Sequence, residues 1–468
     1  MSSVPTAPGG LVRAFDVVVI GGGPAGAAAA CALARAGRSV LLAERTDYAA
    51  WRAGETLAPA ARPLLEALGV WRDFEADGHL PAHGVEVVWG DGVPRLRDYL
   101  FSPIGEGWHL DRRRFDARLA AAAAAAGAEV LRGARVIGAA PTPGGGWRVR
   151  VQADRSAPRE VVAHVAVDAT GRVAWLAQRA GSRRLTYDRL VALAGVVPRA
   201  RAGAGDGAVL LLEAAPAGWW YSVTLPDGAL LAAYLTDDDD LTREEAPASR
   251  WRAALPAAPH TAARVARFGG DAQVNARRAR TVRLDRAAGP DWLAVGDAAC
   301  AHDPLSADGI FKALVSGLRA AEAVDARLRG DAEALARHEA QAFGAFAAYL
   351  DERAAQYGAE GRWPESPFWR RRRGPRPDAV PVTLDPRARL ALDGCAAGDG
   401  AAAAVAAATA GLLALEEAAA LAALTAAPIT AHEVVAALRA NRSGPPADRA
   451  AIVALQALLA AGIVRLAA

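Results

Sequence analysis

The N-terminal part of the chain alternates between short apolar runs and stretches with helical spacing. Residues 15–20 form an apolar run that leads into a glycine-rich turn at residues 21–26, and an alanine-rich stretch follows at 27–36. A second apolar run spans residues 40–43. Continuous apolar runs of this length are typical of strands buried on both faces, so the order predicts a strand–helix–strand unit in a parallel sheet.

The middle of the chain follows a different pattern. Residues 110–126 predict a long helix, and residues 147–167 predict two alternating strands around a polar turn. Between 185 and 285, short apolar or alternating segments separated by Gly and Pro predict an antiparallel sheet. A strand at 292–295 and a helix at 309–327 then return to the first sheet.

The C-terminal region is rich in alanine and follows a proline-rich segment. Four prolines between residues 375 and 386 indicate a linker. Beyond it, residues 387–468 predict a small helical module. Residues 430–433 read as a capping box that begins a helix, residues 448–461 predict another helix, and residues 463–466 predict a short strand. This order is typical of a winged-helix-like domain.

Composition narrows the class of protein. The chain has 468 residues and a net charge of +3, so it can bury a large core but lacks the basic excess typical of nucleic-acid binding. No window of about 18 residues is apolar throughout, so we expect no membrane span. The first ten residues lack the basic and apolar regions of a signal peptide. Three cysteines without a C-x-x-C pair predict reduced thiols in the cytoplasm and no cysteine-based metal site.

The glycine-rich turn has the spacing of a dinucleotide-binding motif, G-x-G-x-x-G. Gly21 allows the tight turn, Gly23 lets the backbone approach a pyrophosphate, and Gly26 lets the following helix pack on the strand. The N–H groups and positive dipole at the start of that helix would bind the phosphates. Glu44, at the end of the second strand, would accept hydrogen bonds from a ribose diol and repel a 2′-phosphate.

Motifs far downstream make the prediction more specific. Residues 293–297 read L-A-V-G-D, and residues 303–309 read D-P-L-S-A-D-G. Together with the glycine-rich turn, Glu44 and D-A-T-G-R at 168–172, they resemble the superfamily of class A flavin monooxygenases and flavin-dependent halogenases. The resemblance covers about residues 11–370, and it implies that the dinucleotide is FAD.

Three further segments resemble a narrower group, the FAD monooxygenases that hydroxylate a tryptophan side chain of a protein during tryptophylquinone formation. The segments are R-A-G-E-T-L-A-P at 52–59, G-W-H-L-D-R at 107–112 and G-W-W-Y-S at 218–222. No second G-x-G-x-x-G follows a strand elsewhere. We therefore expect electrons to come from transiently bound NAD(P)H or from a separate flavin reductase.

The resemblance implies an α/β fold class with three parts. These are a Rossmann-like FAD-binding domain of the class A flavin monooxygenase type, an antiparallel β-sheet substrate domain, and the C-terminal helical, winged-helix-like module. The predicted domains are FAD-binding at 11–84, 108–184 and 286–330, substrate-binding at 85–107 and 185–285, a helical extension of the core at 331–373, and the alanine-rich module at 387–468.

The resemblance also implies roles for particular residues. Asp297 is expected to bind the ribityl chain of FAD, and Arg112 its phosphate or ribityl part. The helix that begins at Gly309 is expected to direct its positive end at the N1–C2 carbonyl region of the isoalloxazine. Reduced FAD and O2 would then form a C4a-hydroperoxide that hydroxylates an electron-rich aromatic ring. The other residues expected to contact FAD are Pro24, Ala25, Arg45, Asp168, Gly171, Gly296, Pro304 and Ile310.

Candidate catalytic and substrate-binding residues lie in the same motifs. His109, His302 and Asp303 are candidate bases near the ring, although an isolated histidine is more often structural. Glu55 is a candidate for ordering the segment that faces the flavin. The aromatic run Trp219, Trp220 and Tyr221 predicts either a wall against the substrate ring or the core of the sheet.

Three departures from tryptophan halogenases favour hydroxylation over halogenation. Those enzymes need a lysine after the G-E segment, whereas Lys312 is the only lysine in this chain. They carry W-x-W-x-I-P where this chain reads Y-S-V-T-L-P at 221–226. Finally, an ionised Asp308 would repel a halide at the position where they carry a hydroxyl.

Other hypotheses stay open. A flavin-dependent halogenase is one, and a flavin reductase or dehydrogenase of an isoprenoid-type substrate, which shares D-P-L-x-x-x-G, is another. The substrate is an aromatic small molecule or a peptide or protein, and a peptide substrate would explain the module at 387–468 as a partner-binding element. A flavin-holding regulator that binds DNA is disfavoured, because residues 430–466 contain no basic recognition helix.

Overall fold

The computed structural model describes residues 12–99, 102–153, 156–198, 209–240 and 246–372, with short strand segments at 3–4, 389–392, 429–430 and 464–466. The predicted linker and the predicted helices of the C-terminal module lie outside the described residues. The predicted terminal strand is confirmed as Val464–Leu466, which pairs antiparallel with Arg389–Leu392. Ile429–Thr430 pairs with the other edge of Arg389–Leu392.

The first sheet confirms the α/β fold class and the predicted strand–helix–strand unit. Five of its strands run parallel, each hydrogen-bonded to the next. In spatial order they are Glu129–Leu131, Val40–Ala43, Val12–Ile20, Arg159–Asp168 and Trp292–Ala294. Antiparallel strands complete the sheet, namely Ser3–Val4, Ala134–Pro141, Trp147–Ala153 and Ala288–Gly289.

Both faces of the parallel strands are buried, as their uninterrupted apolar sequences predict. Val17, Val18 and Val19 are each 0% exposed, although alternate residues of a strand point to opposite faces. Val17 and Val19 pack in one cluster with the helices Pro24–Arg35, Arg112–Ala125 and Gly309–Leu328. Val18 packs in a second cluster with aromatic residues that include Trp147, Phe346 and Tyr349.

Two of the helices that pack on Val17 and Val19 cross each other at a very short distance. A Cβ on Gly317 of the helix Gly309–Leu328 would lie 2.2 Å from the carbonyl oxygen of Ala25 in the helix Pro24–Arg35. Because glycine and alanine allow this approach, the N-termini of both helices reach the same cavity, described below.

The second sheet is antiparallel, except that Val209–Ala215 runs parallel to Gly84–Val88. It is built largely from the region where alternating segments predict a sheet. In spatial order its strands are Gln273–Arg278, Leu190–Val197, Leu230–Asp237, Gly218–Thr224, Val209–Ala215, Gly84–Val88 and Pro94–Asp98.

The same region also contains two helices that the sequence pattern does not predict, Pro247–Ala254 and Pro259–Phe268. Each begins at a proline. Proline is favourable in the first turn of a helix, although within a helix it interrupts the hydrogen bonding. The second helix is also stabilised from the sheet, because Glu213 accepts hydrogen bonds from the backbone N–H of Thr261 at 2.7 Å and of His260 at 3.1 Å.

Short elements and the C-terminal helices complete the described chain. None of the helices in this part is long and apolar enough to cross a membrane. The remaining helices are Arg62–Ala67, Trp71–Ala76, Trp175–Arg179, Ala334–Gly358 and Pro367–Arg370. The small sheets comprise Thr56–Leu57, Gly107–His109 and Leu80–Ala82, and Arg184–Thr186, Val282–Leu284 and Cys300–Ala301.

Candidate active site

The glycine-rich turn closes tightly between the first parallel strand and the helix Pro24–Arg35. Gly21 has a φ of +105°, and a Cβ there would lie 2.3 Å from the carbonyl oxygen of Ala169. A Cβ on Gly26 would lie 2.0 Å from the carbonyl oxygen of Gly21. A side chain at either position would therefore displace backbone atoms.

Gly23 differs from both of these glycines. Among the described residues, no atom lies within 4 Å of the position that its Cβ would take. The helix Pro24–Arg35 starts here without a side chain that caps its N–H groups, and Gly23, Pro24 and Ala25 border a cavity. Free backbone donors, a positive helix end and open space fit the diphosphate of a dinucleotide such as FAD.

Glu44 is fixed at the wall of this cavity and is 4% exposed. Its Oε2 accepts a hydrogen bond from Gly22 N at 2.8 Å, and its Oε1 accepts from Thr46 Oγ1 at 2.6 Å and Arg52 Nη2 at 3.0 Å. Burial raises the pKa of Glu44, but the hydrogen bonds from Thr46 and Gly22 and the charge of Arg52 outweigh it and leave the pKa below its ordinary value. The carboxylate is therefore held ionised where the ribose contact is predicted.

The downstream motif approaches the same cavity from the neighbouring strand. Gly296 has a φ of +55°, and its N–H donates to Ser316 Oγ at 2.9 Å. Asp297 borders the cavity, and its Oδ2 lies 3.3 Å from Nε of Arg172. The helix Gly309–Leu328 begins at the cavity, so its positive end faces the space where the isoalloxazine is predicted.

The cavity has a volume of about 690 Å³ and joins the glycine-rich turn to the second sheet. This size lies within the range of cavities that bind cofactors and small ligands. The predicted FAD-binding residues that border it are Gly21, Gly23, Pro24, Ala25, Glu44, Arg45, Arg112, Gly171, Asp297, Pro304, Gly309 and Ile310. From the second sheet and its flank, Leu210, Leu212, Tyr221 and Ala279 border its other end.

Arg112 positions the loop before Glu55. Its Nε and Nη2 each lie 3.0 Å from the carboxylate of Asp116, and its Nη1 donates to the carbonyl oxygen of Ala53 at 2.6 Å. Arg52 Nη1 donates to the same buried carboxylate at 3.2 Å. One buried aspartate therefore orients two arginines at the cavity, and contact of Arg112 with FAD stays a prediction.

Asp168 does not border the cavity, although its neighbours do. Its Oδ2 accepts hydrogen bonds from the backbone N–H groups of Leu176 and Ala177, each at 2.8 Å, and its Oδ1 accepts from Thr170 N at 3.0 Å. The aspartate thus ties the end of a parallel strand to the following helix. Gly171, with a φ of +65°, is the member of this motif that lines the cavity with Thr170.

Glu55 lies at the cavity end nearest the second sheet and is 3% exposed. Its backbone is anchored, because Leu110 N donates to the Glu55 carbonyl oxygen at 2.6 Å. The hydroxyl of Tyr221 lies close to the Glu55 carboxyl and affects its pKa. Burial raises the pKa of Glu55 to about 7, although Arg112 and Tyr221 act in the opposite direction.

His302 also borders the cavity and is packed against aromatic rings. Its ring centroid lies 4.3 Å from that of Tyr349, edge to face, and 5.6 Å from that of Phe346. Burial, together with the charges of Lys312 and Arg172, lowers the pKa of His302 to about 3. His302 is therefore neutral at neutral pH and a weaker base than an ordinary histidine.

Asp303 reaches the cavity wall, but its carboxylate is engaged elsewhere. Its Oδ1 accepts from Leu305 N at 2.9 Å, and its Oδ2 accepts from Arg353 Nε at 3.1 Å and from the Tyr357 hydroxyl at 2.7 Å. Because three donors hold this 1% exposed residue, its geometry is that of a structural ion pair.

Three of the candidate residues lie away from the cavity lining. His109 is 0% exposed, and its Nδ1 lies 3.2 Å from the carbonyl oxygen of Thr224. Trp219 and Trp220 are also 0% exposed and belong to the cores on opposite faces of the second sheet. Of the aromatic run, Tyr221 alone borders the described cavity.

The segment considered for halide binding differs from the expectation. Ser306 borders the cavity, whereas Asp308 does not. Asp308 accepts a hydrogen bond from Ser306 and forms an ion pair with Lys312, whose Nζ lies 2.9 Å away. Since Lys312 offsets the carboxylate charge, the expectation that Asp308 repels a halide is not supported by this geometry.

Of the arginines that border the cavity without having been predicted as site residues, two stand in motifs noted in the sequence, Arg52 and Arg172. Arg172 Nη2 donates to the carbonyl oxygen of His302 at 2.8 Å, which joins the D-A-T-G-R motif to the downstream motif. Arg52 joins Glu44 to Asp116. Each arginine stands at one end of its motif, but its contact with a residue far along the chain, His302 for Arg172 and Asp116 for Arg52, is not indicated by any local pattern.

Comparison with known protein sequences agrees with this geometry. Residues 16–184 match the family described as FAD dependent oxidoreductase. The putative FAD-dependent oxidoreductase LodB of Marinomonas mediterranea is 26% identical over 371 residues, which cover 77% of this chain and 97% of LodB. The flavin-dependent halogenase armH4 of Armillaria mellea is 27% identical over 351 residues, which cover 67% of this chain and 66% of armH4.

Solved structures show the same relationship. One similar structure is that of the peptidyl tryptophan dihydroxylase QhpG, which is essential for tryptophylquinone cofactor biogenesis. It superposes with a TM-score of 0.65 at 27% sequence identity, and the match covers 83% of this chain and 85% of the QhpG chain. The myxobacterial chondrochloren halogenase CndH has a TM-score of 0.70 at 23% sequence identity, and the match covers 78% of this chain and 86% of the CndH chain. The two proteins therefore share a fold. These similarities identify an FAD-dependent enzyme, and the proteins it resembles include flavin-dependent halogenases and a peptidyl tryptophan dihydroxylase.

Proposed function

We propose that this protein is an FAD-dependent monooxygenase that hydroxylates an electron-rich aromatic ring, namely the side chain of a tryptophan in a peptide or protein. The observation that carries the proposal is the chemistry of the cavity: it brings Glu55 and Tyr221 to the sheet end, and its described lining contains no lysine. The only lysine of the chain is engaged by Asp308 outside that lining. The similarity to a peptidyl tryptophan dihydroxylase supports the same function.

The residues of the cavity have separable tasks in this proposal. Bound FAD, once reduced by NAD(P)H or by a flavin reductase, supplies an electrophilic oxygen atom from O2. The start of the helix that follows Gly23 would hold the phosphates, and the start of the helix at Gly309 would face the isoalloxazine. Leu210, Leu212 and Tyr221 then form the surface against which an aromatic ring packs.

Halogenation is the second candidate, and one observation favours it. Asp308 pairs with Lys312 outside the cavity lining while Ser306 borders the cavity, so the charge of that carboxylate does not exclude a halide there. Several similar proteins carry the name of halogenase, including armH4. The absence of a lysine from the described lining favours hydroxylation.

A single competition experiment separates the two functions. The holoenzyme is reduced anaerobically with NADH, NADPH or a flavin reductase, and then mixed with ¹⁸O₂, bromide, chloride and a tryptophan-containing peptide. Hydroxylation predicts a peptide that gains one or two ¹⁸O atoms, whereas halogenation predicts a chlorine or bromine isotope pattern. A halogenated product, or no oxygenated product from any tryptophan peptide, would overturn the proposal. Gly23→Ala, designed to exclude FAD, is the negative control.

A further inference from the structure

Glu55 has the features of a group prepared for a ligand rather than for the core. It borders the cavity, is 3% exposed, and its Oε1 has no hydrogen-bond partner among the described residues. Leaving a carboxyl oxygen buried without a partner is unfavourable, so such atoms are rare outside functional sites. The loop is anchored as well, because Arg112 donates to the carbonyl oxygen of Gly54 at 3.3 Å and Leu110 donates to that of Glu55. The backbone that carries this carboxyl is therefore held in place at the cavity.

Tyr221 supplies the second half of the arrangement. It reaches the cavity from the strand Gly218–Thr224, and its hydroxyl lies close enough to the carboxyl of Glu55 for each group to raise or lower the pKa of the other. Burial, the largest cause, raises the pKa of Tyr221 well above its usual range, so the phenol keeps its proton and acts as the donor. Tyr221 therefore lies beside a carboxyl whose Oε1 has no hydrogen-bond partner among the described residues, and both residues border the cavity.

The charged surroundings keep this carboxyl responsive to pH near neutrality. Burial raises the pKa of Glu55 to about 7, and Arg112 lowers it only in part. Arg112 is already paired with Asp116, and the charge of Asp297 also contributes to raising the pKa of Arg112. The ionised and the protonated forms of Glu55 therefore both occur between about pH 6 and pH 8.

We propose that Glu55, positioned by Tyr221, is the residue that recognises the ring N–H of an indole substrate. Oε1 accepts the hydrogen bond from the indole nitrogen, and the Tyr221 hydroxyl stays beside the same carboxyl. This orients the ring at the cavity end near Ile310 and the start of its helix. The same contact favours the positive charge that develops on the indole when oxygen adds to the ring. The inference rests on the proposed function and names its recognition element.

The test measures binding to the oxidised holoenzyme by calorimetry. The probes are two peptides that differ in one atom group, one with tryptophan and one with 3-benzothienylalanine, in which sulfur replaces the indole N–H. At pH 8 the wild type is expected to bind the tryptophan peptide about tenfold more tightly, and the preference is expected to shrink at pH 6. Glu55→Leu, which lacks an acceptor, is expected to bind both peptides equally.

Two matched variants separate recognition from structure. Glu55→Gln keeps an acceptor oxygen but does not titrate, so it is expected to keep an N–H preference that no longer changes with pH. Tyr221→Phe removes the donor that lowers the pKa of Glu55, so its preference is expected to emerge at higher pH than in the wild type. Thermal unfolding and FAD content are measured for each variant.

The outcomes distinguish this inference from the proposed function. If the wild type binds and hydroxylates the tryptophan peptide but shows no preference over the benzothienyl peptide, the role of Glu55 is wrong and the proposed function stands. If Glu55→Leu still prefers the tryptophan peptide over the benzothienyl peptide, the role of Glu55 is likewise wrong and the proposed function stands. If no tryptophan peptide is bound or hydroxylated by the FAD-loaded enzyme, the proposed function fails, and this inference fails with it.

Discussion

Asp303, a residue of the downstream flavin motif, forms a buried ion pair with Arg353 of the helix Ala334–Gly358. Arg353 Nε lies 3.1 Å from Asp303 Oδ2, and its Nη2 lies 2.9 Å from Asp188, with all three side chains at most 3% exposed. Tyr357, one turn further along the helix, donates to the same oxygen of Asp303. The ion pair therefore fixes the cavity wall to the C-terminal helix.

Arg353→Met is expected to lower the free energy of unfolding by about 3–5 kcal/mol, because it removes the positive charge that Arg353 places between the buried carboxylates of Asp188 and Asp303. Urea unfolding of the holoenzyme measures the change. Arg95→Met is the matched control, since Arg95 forms an exposed ion pair with Asp91 and its loss is expected to leave the midpoint unchanged. Equal effects of the two substitutions would show that the buried ion pair is not stabilising.

The elements that were predicted well are those whose pattern is local. The strand Val40–Ala43 has the predicted bounds because its apolar residues are flanked by polar ones on both sides. The first helix begins at Pro24 rather than at residue 27, because proline is favourable in the first turn and the apolar periodicity starts later. The helices Pro247–Ala254 and Pro259–Phe268 were missed for the same reason.

The residues of the site also differ in whether their surroundings are local in the sequence. Gly21 and Gly26 depend on the backbone of their own turn and its neighbouring strand, so spacing alone identifies them. The environment of Asp303 depends on Arg353 and Tyr357, about 50 residues later, and no local motif indicates those partners. Likewise, the alternation of a strand shows that Trp220 and Tyr221 face opposite sides, but not which side faces the cavity.

Gly23→Ala is expected to abolish FAD binding while leaving the fold intact. The Cβ meets no described atom within 4 Å and the backbone is not strained, so the protein accommodates the methyl group. The methyl group then occupies the space that the diphosphate needs. FAD content of the purified protein is the measurement, and thermal unfolding of the apo forms shows whether the fold is retained.

Gly144→Ala is the control for that substitution, because Gly144 also has open space around its Cβ but does not border the cavity. It is expected to retain FAD at the level of the wild type. Normal FAD content in Gly23→Ala would mean that the diphosphate does not approach the turn at this residue.

Trp219→Phe is expected to destabilise the protein by about 1 kcal/mol more than Trp220→Phe, although both tryptophans are 0% exposed. Trp219 Nε1 donates to the Tyr357 hydroxyl at 2.9 Å, whereas Trp220 Nε1 has no partner among the described residues. Neither borders the cavity, so affinity for FAD and for a tryptophan peptide is expected to be unchanged. Weaker peptide binding in either variant would instead favour the aromatic wall.

His79 is expected to make the protein less stable as the pH falls from 6.5 to 4. It is 5% exposed and packs against the rings of Phe74 and Phe115, and its Nδ1 accepts a hydrogen bond from Asp111 N at 3.2 Å. Burial, the largest cause, lowers its pKa to about 4. In this window the unfolded chain binds a proton that the folded chain does not, so the stabilisation present above pH 6.5 is lost as the pH approaches 4.

His79→Gln tests this, because glutamine keeps an acceptor for Asp111 N but does not titrate. The free energy of unfolding is measured from pH 8 to pH 4 for the wild type, His79→Gln and His83→Gln, whose histidine is 60% exposed. The decrease towards low pH is expected to be smaller in His79→Gln by up to about 3 kcal/mol, and His83→Gln is the control for the removal of an exposed histidine. Parallel curves for all three proteins would show that His79 takes up its proton equally in the folded and unfolded states.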